Sequence, residues 1–387
     1  MNNYFKKEIL ESAQIMVVGC GALGNEVLKN LALMKVGNII IVDFDNVETE
    51  NLKRSVLFSE IEDSVGKPKV EVATQAIKKI NPEANLIAIN GDISADVGLG
   101  LIKEMDIVIG CVDNRWARYC INRLCMRAGV PWIDGGISEL EGSVRLFEPG
   151  KNCYACTLSN EDISEMKQRF SCAGNIRRAL KTESAPTTSL IASIIGAVQV
   201  QEALKFIHNN NSDKDKKDDE ADFENLSGKM LVYDGKYLDF KKVKLQAYDD
   251  DCSLHELWKP VIKSSISEKN TIREVLSVIK LQLGAYSSAL LLINDSFVDY
   301  IIDKDTDEKI SVMLPGRKVE EFISQSPELN IKPLSSYYQN EIDLFHRDSP
   351  YLDLTLEEIG IPAHDILKMR CGIRGVYRER DYYIEMK

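Results

Sequence analysis

IMVVGCGALG, residues 15–24, decides the fold of this chain. Four apolar residues run directly into a glycine-spaced turn. Residues 23–35 then place Leu28, Leu31 and Leu33 at helical spacing, toward a core. A short apolar run bounded by glycine reads as a buried strand. Gly19, Gly21 and Gly24 permit a tight strand-to-helix turn and let a phosphate approach backbone amides at the helix N-terminus. Alone, the glycine pattern is weak, because its third glycine also serves helix–strand packing.

The pattern continues outward from this unit. NIIIVD (38–43) reads as a second strand and residues 67–80 as a helix. LIAI (86–89), DIVIGCVD (106–113) and PWID (131–134) read as further strands, with a helix at 115–128. Strands alternating with helices predict an α/β fold with a doubly wound, Rossmann-like parallel sheet. GSVRLF (142–147) and LVYDGKYLDFKKVKL (231–245) alternate as antiparallel strands do, and extend that sheet.

Residues 209–225 are charged and almost free of apolar side chains, which predicts a disordered surface insertion. The alternative is an acidic strip that binds a partner. The pattern restarts after about residue 260. TIREVLSVIKLQL (271–283) reads as a helix and SALLLIN (288–294) as a strand. LDLTLEEIGIPAHDILKMR (352–370) reads as a strand, a turn-helix and another strand. Two domains are expected, 1–260 and 261–387, the second of α+β type.

The 387 residues are 44% hydrophobic, enough for two substantial cores, and carry a formal net charge of −12 without a long basic patch. Nucleic acid and anionic membranes are therefore not expected as partners. The first residues contain no apolar signal region. The longest apolar stretch, near 190–200, is interrupted by Ser193, Gln199 and Gln201, so no membrane span is expected. Nine cysteines, an odd number scattered through apolar segments, fit a reducing cytoplasm with metal or catalytic use of a few.

The residues after the second strand choose between nucleotides. Asp43 ends that strand, where a carboxylate accepts ribose hydroxyls. DFDNVETENLKRS then places Asn51 and Arg54 just beyond it, and Lys67 follows in GKPK. Hydride transfer needs no such cations. Moving an α-phosphate to a carboxylate does, because charge builds on phosphate and on the pyrophosphate leaving group. Asp113 follows the fourth strand, at the carboxyl edge where ligands bind such sheets, and a carboxylate there can hold Mg²⁺ against a triphosphate.

In this order, G-x-G-x-x-G, D-x-D-x-V-x-x-x-N-L-x-R, G-x-P-K and a D-N pair resemble the activating enzymes of ubiquitin-like proteins. These include bacterial adenylyltransferases for molybdopterin-synthase and thiamine sulfur carriers, and the eukaryotic ubiquitin-activating enzymes. The resemblance covers roughly residues 10–255. It implies ATP as substrate, with Asp43 and Asp45 in the nucleotide site, Asn51, Arg54 and Lys67 on the phosphates, and Asp113 on Mg²⁺. Many relatives carry an arginine before the first strand that reaches a partner subunit's site. Residues 1–14 here hold no arginine, only Lys6 and Lys7, so either a lysine substitutes, or that contribution is missing or comes from another chain. The resemblance also implies a homodimer or heterodimer.

Cys153-Tyr-Ala-Cys156 reads as the first half of a zinc knuckle, and Cys252-Ser-Leu-His255 stands where the second half belongs; the alternative is that Cys252 and His255 are ordinary surface residues and the metal has been lost. Relatives usually have a second Cys-x-x-Cys there. Three cysteines and a histidine are an ordinary structural Zn²⁺ set. Cys172, in MKQRFSCAGN within the segment at about 157–189, resembles the nucleophile of the thioester-forming members of the family. A thiolate suits that task, and Arg169, Arg177 and Arg178 flank it. The alternative is an incidental thiol. Cys20, Cys111, Cys120 and Cys125 read as core. Residues 183–207 resemble the family's crossover loop and following helix, with Thr187 and Thr188 as candidate caps.

Residues 352–370 resemble the close of a β-grasp, ubiquitin-fold domain of the kind that recruits a conjugating enzyme. The resemblance as a whole implies adenylation of a ubiquitin-like protein with a glycine-ending tail, then thioester formation on Cys172 and transfer to that enzyme. Two alternatives stand beside it: a sulfur-carrier adenylyltransferase with a dispensable Cys172, and a non-catalytic scaffold.

Overall fold

The computed structural model describes residues 5–171, 188–211, 223–283, 286–293, 297–315, 342–345, 351–373 and 379–387, with a few positions between 319 and 326. The chain divides into two compact units. The first is built from residues within 1–94, 102–159 and 184–257, the second from residues within 95–101, 160–183 and 258–387.

The first unit carries an eight-stranded sheet ordered β3-β2-β1-β4-β5-β6-β7-β8. Its strands are β1 (Gln14–Val18), β2 (Asn38–Val42), β3 (Asn85–Ile89), β4 (Ile107–Gly110), β5 (Trp132–Ile137), β6 (Glu141–Phe147), β7 (Lys229–Asp234) and β8 (Asp239–Lys244). The first five pair in parallel, and β5 to β8 continue as an antiparallel meander. This is the doubly wound sheet with an antiparallel extension that the alternation of elements predicts. The β1–β2 and β1–β4 pairings make β1 the point where the winding reverses, and ligands bind such sheets in the crevice beyond the strand ends there.

Helices α1 (Lys7–Ser12), α2 (Ala22–Leu33), α3 (Val56–Ser59), α4 (Lys69–Ile80), α5 (Leu99–Lys103) and α6 (Arg115–Ala128) follow in chain order, then α7 (Asn160–Ser171) and α8 (Ser189–Asn211). Leu28 and Leu31 are buried on α2 as expected, but Leu33 is 60% exposed. At about 100° per residue it stands some 200° around the helix from Leu31, on the opposite face. The strand read from LIAI is the sheet's outer edge, so Ile87 is also exposed.

Helix α8 is long and apolar enough to cross a membrane by composition alone. Its Ile191, Ile195, Val200, Leu204 and Ile207 instead join the core beneath the sheet. Thr188 caps it through Oγ1, which accepts the Ile191 N–H at 3.4 Å. Thr187 lies outside the described residues, as does most of the charged 209–225 stretch. Phe223, at its end, packs against Phe5 and His208.

In the second unit a five-stranded sheet runs β13-β10-β14-β15-β9. Its strands are β9 (Val261–Lys263), β10 (Tyr286–Ile293), β13 (Ile342–Phe345), β14 (Ile366–Ile373) and β15 (Glu379–Glu385), with β11 (Phe297–Ile302) and β12 (Lys309–Pro315) as a separate hairpin. The first and last strands, β9 and β15, pair in parallel, and helix α9 (Ile272–Leu283) contributes Ile272, Val275 and Ile279 to one core with Leu291 and Met369. The strand and helix expected from 352–365 are absent; those residues form turns. Leu352, Leu356 and Ile359 have the spacing of a helix and are buried, but Gly360 at φ +84° and Pro362 end it after one turn. Thr355 and Glu358 close that turn reciprocally, backbone to side chain, at 2.7 and 3.2 Å.

Candidate nucleotide site and metal cluster

The glycine turn follows from backbone geometry. Gly19 sits at φ +95°, where a Cβ would lie 2.5 Å from the Cys111 carbonyl oxygen. A Cβ on Gly24 would meet the Gly19 carbonyl oxygen at 2.0 Å, so Gly24 lets α2 close on the end of β1. A Cβ on Gly21 would meet nothing within 4 Å. Packing therefore requires the outer two glycines, while the middle one faces open space at the start of α2.

Asp43 binds this turn directly. Its Oδ2 accepts the Cys20 N–H at 2.6 Å and its Oδ1 the Asp45 N–H at 2.8 Å. Burial pushes the Asp43 carboxyl above its ordinary value, against the nearby Lys69 charge. Lys69 opens α4, and its Nζ lies 2.8 Å from Asp45 Oδ2. Burial favours its neutral form, yet Asp43 and Asp45 outweigh this and hold the ammonium above its ordinary range. Lys67, which the sequence pointed to, is exposed two residues earlier and serves through its backbone, its carbonyl accepting the Val47 N–H at 2.8 Å. The lysine gathered with Asp43 and Asp45 is Lys69.

Asn25 was not singled out from the sequence. It is fully buried, and its Nδ2 donates to the carbonyls of Cys20 and Gly21 at 2.8 and 3.2 Å. Its Oδ1 accepts the Leu57 N–H at 3.0 Å. One side chain thus fastens the glycine turn to the segment that follows Arg54. Asn51 is buried in the 3-10 turn Thr49–Lys53, where its Oδ1 accepts the Glu48 N–H at 3.0 Å. Arg54 ends that turn.

Asp113 is exposed just beyond β4, beside the glycine turn's strand in the sheet order. Asn114 donates to its Oδ1 at 3.3 Å and caps α6 by accepting the Ala117 N–H at 2.8 Å. Beneath lies a buried charge triad absent from the sequence reading. Asp134 is fully buried and takes Arg118 Nε at 2.8 Å and Arg145 Nη2 at 2.5 Å. Burial would raise this carboxyl, but the two guanidinium groups hold it below the usual carboxylate range. Arg118 also donates to the Val112 and Gly135 carbonyls at 2.8 and 3.1 Å, anchoring the residue before Asp113.

Cys153, Cys156, Cys252 and His255 converge, with all four ligand atoms within 4.8 Å of one another. Cys153 Sγ lies 3.7 Å from both Cys156 Sγ and Cys252 Sγ, and Cys156 Sγ lies 3.2 Å from His255 Nε2. A tetrahedral zinc with bonds of about 2.3 Å to sulfur needs sulfur–sulfur edges of about 3.8 Å, so the donor set fits. The hydrogen bond from Cys252, against the opposing effect of burial, pulls the Cys153 thiol down to about 5, while the same contact pushes the Cys252 thiol up, so one thiolate is shared between the two. Cys20, Cys111, Cys120 and Cys125 are buried, as core thiols should be. Burial pushes the Cys20, Cys111 and Cys125 thiols up. Cys172, Arg177 and Arg178 lie outside the described residues, and the Arg169 side chain is not described.

The ThiF family model matches residues 5–254. The chain belongs to the ThiF family. Within it, a molybdopterin-synthase adenylyltransferase of Escherichia coli is 30% identical over 241 residues, 62% of this chain and 86% of the relative. A SAMP-activating enzyme E1 of Haloferax volcanii is 28% identical, over 62% of this chain and 80% of its own length. Among solved structures, Escherichia coli MccB with succinimide superposes at a TM-score of 0.51 and 26% identity, covering 64% of this chain and 67% of that one. The ThiF match covers the nucleotide turn, Asp113 and the first three residues of the metal cluster, ending one residue short of His255.

Proposed function

We propose that this ThiF-family chain adenylates the C-terminal carboxylate of a ubiquitin-like protein whose tail ends in glycine. A tail oxygen attacks the α-phosphorus of ATP, the bond to the β-phosphate oxygen breaks, and pyrophosphate leaves. The observation that carries the reading is the gathering of Lys69, Asp43 and the open Gly21 at the carboxyl ends of β1 and β2. The turn's amides and the α2 N-terminus receive phosphate, and Asp43 receives the ribose. Lys69, released from Asp45, and Arg54 offset charge on the transferring phosphate. Asp113, with one oxygen engaged by Asn114 and the carboxylate otherwise open to solvent, is the residue to hold Mg²⁺, which would neutralise triphosphate charge.

In the second step Cys172 Sγ attacks the acyl carbon, the acyl–phosphate bond breaks and AMP leaves, giving a thioester. Its support is the CYACTL…RFSC interval in the sequence. The C-terminal unit then presents a conjugating enzyme that accepts the acyl group. A second reading, sulfur-carrier adenylation without a thioester, is favoured by the alignment over 86% of a molybdopterin-synthase adenylyltransferase.

The test is ATP–pyrophosphate exchange driven by candidate carriers, followed by a non-reducing gel. Carrier-dependent exchange with a thiol-sensitive adduct supports the first reading. Exchange without an adduct supports the second. No exchange with any glycine-ending carrier refutes both.

A further inference from the structure

We propose that Asn122 is an outer-layer residue of the Cys153–Cys156–Cys252–His255 cluster, its side-chain amide donating an N–H to the Cys153 sulfur when the four side chains hold a metal ion. This rests on the cluster being a metal site. Asn122 lies on α6 and is fully buried. Its Oδ1 accepts two donors, the Tyr154 N–H at 2.9 Å and the Trp132 indole N–H at 3.2 Å. Two donors on one atom fix that atom as the oxygen and so fix the direction of the amide. Its Nδ2, at the other end, has no regular hydrogen-bond partner among the described residues. Buried donors are rarely left unmet.

The position of this donor is set by its neighbours. Tyr154 follows Cys153 directly, so the bond to the Tyr154 N–H places the Asn122 amide one residue from the first ligand of the cluster. A metal-bound thiolate is a charged acceptor, and an N–H aimed at it is satisfied in a way that a neutral thiol cannot match. Outer-layer partners of this kind orient ligands and govern how tightly the metal is held. The same side chain grips Trp132 on β5, two residues before the buried Asp134, so the cluster is tied into the parallel sheet rather than hung from its edge.

The full-length chain loaded with zinc provides the test. Asn122→Asp keeps an oxygen for Tyr154 and Trp132 but cannot donate, and sets a negative charge against the sulfur. Zinc release to a chromophoric chelator is expected to be about 10–100-fold faster than from wild type. With Co²⁺ in place of zinc, the thiolate-to-metal charge-transfer band is expected to move to lower energy, a shift that altered packing alone does not produce. Wild-type release and an unmoved band would overturn the assignment of Asn122 while leaving the metal site standing. A wild-type chain that takes up neither metal overturns both. Should Asn122→Asp fail to fold, wild type loaded with NMR-active cadmium decides. Scalar coupling between the metal and the Asn122 amide protons is expected, and its absence overturns the proposal.

Discussion

Lys69 and Asp45, 24 residues apart, meet at 2.8 Å and join the start of α4 to the loop after β2. The pair leaves Lys69 about one-tenth exposed and Asp45 about half exposed, so the lysine is held in place by a partner that water reaches. In the proposed reaction this lysine exchanges its carboxylate for phosphate when nucleotide arrives.

Lys69→Ala is expected to lower carrier-dependent pyrophosphate exchange by ~10²–10³, the usual loss for one electrostatic element of a transition state. Lys67→Ala is expected to stay near wild type. Exchange rates of the two variants side by side decide which lysine serves, and the reverse order would restore Lys67.

Cys172→Ala is expected to retain full pyrophosphate exchange and lose the thiol-sensitive adduct, because adenylation precedes thiol attack. A persisting adduct on a non-reducing gel would move the nucleophile to another cysteine.

Asp134→Ala is expected to destabilise the first unit by about 3–5 kcal/mol, since it strands two buried guanidinium groups. Urea unfolding measures this. The carboxyl is held below its unfolded value of about 3.9, so the folded state binds fewer protons and the contribution is complete above that pH. It falls away as pH drops through the folded value. Asp134→Asn should therefore flatten the acid arm of the stability profile. An unchanged acid arm would show that Asp134 is not charged in the folded state.

Cys156→Ser is expected to reduce bound zinc well below about one ion per chain, the complement of one four-ligand site, and to lower Tm without changing Asp113-dependent chemistry. Elemental analysis with a thermal scan checks both. A variant that keeps its metal would remove Cys156 from the ligand set.

Much of the parallel sheet was legible because alternating apolar runs and glycines are local signals. Gly19 and Gly24 could be read from sequence because their constraint is backbone clash. GKPK offers two lysines, and only the turn through Pro68 decides that Lys69 is the one that faces Asp43 and Asp45. Asn25, Asn122 and the Asp134 triad escaped because a polar residue in an apolar context gives no hint of its partner, and their bonds to other elements cross 10 to 32 residues. The cluster of Cys153, Cys156, Cys252 and His255 was legible at a distance because ligand spacing is repeated in both halves. The 352–365 region misled because apolar spacing of 3 and 4 also fits a chain of buried turns.

The paired 99-residue offsets of that cluster, Cys153 to Cys252 and Cys156 to His255, make the intervening chain a ring that a metal ion held by the four side chains would close. A protease that nicks the ring once before β7 would produce two polypeptides but still one particle, held along the β6–β7 ladder. Insertions within the ring lengthen it without displacing its ends, at an entropic cost that grows only with the logarithm of length. The two fragments of a molecule nicked there should run together on a native gel and separate on a denaturing one.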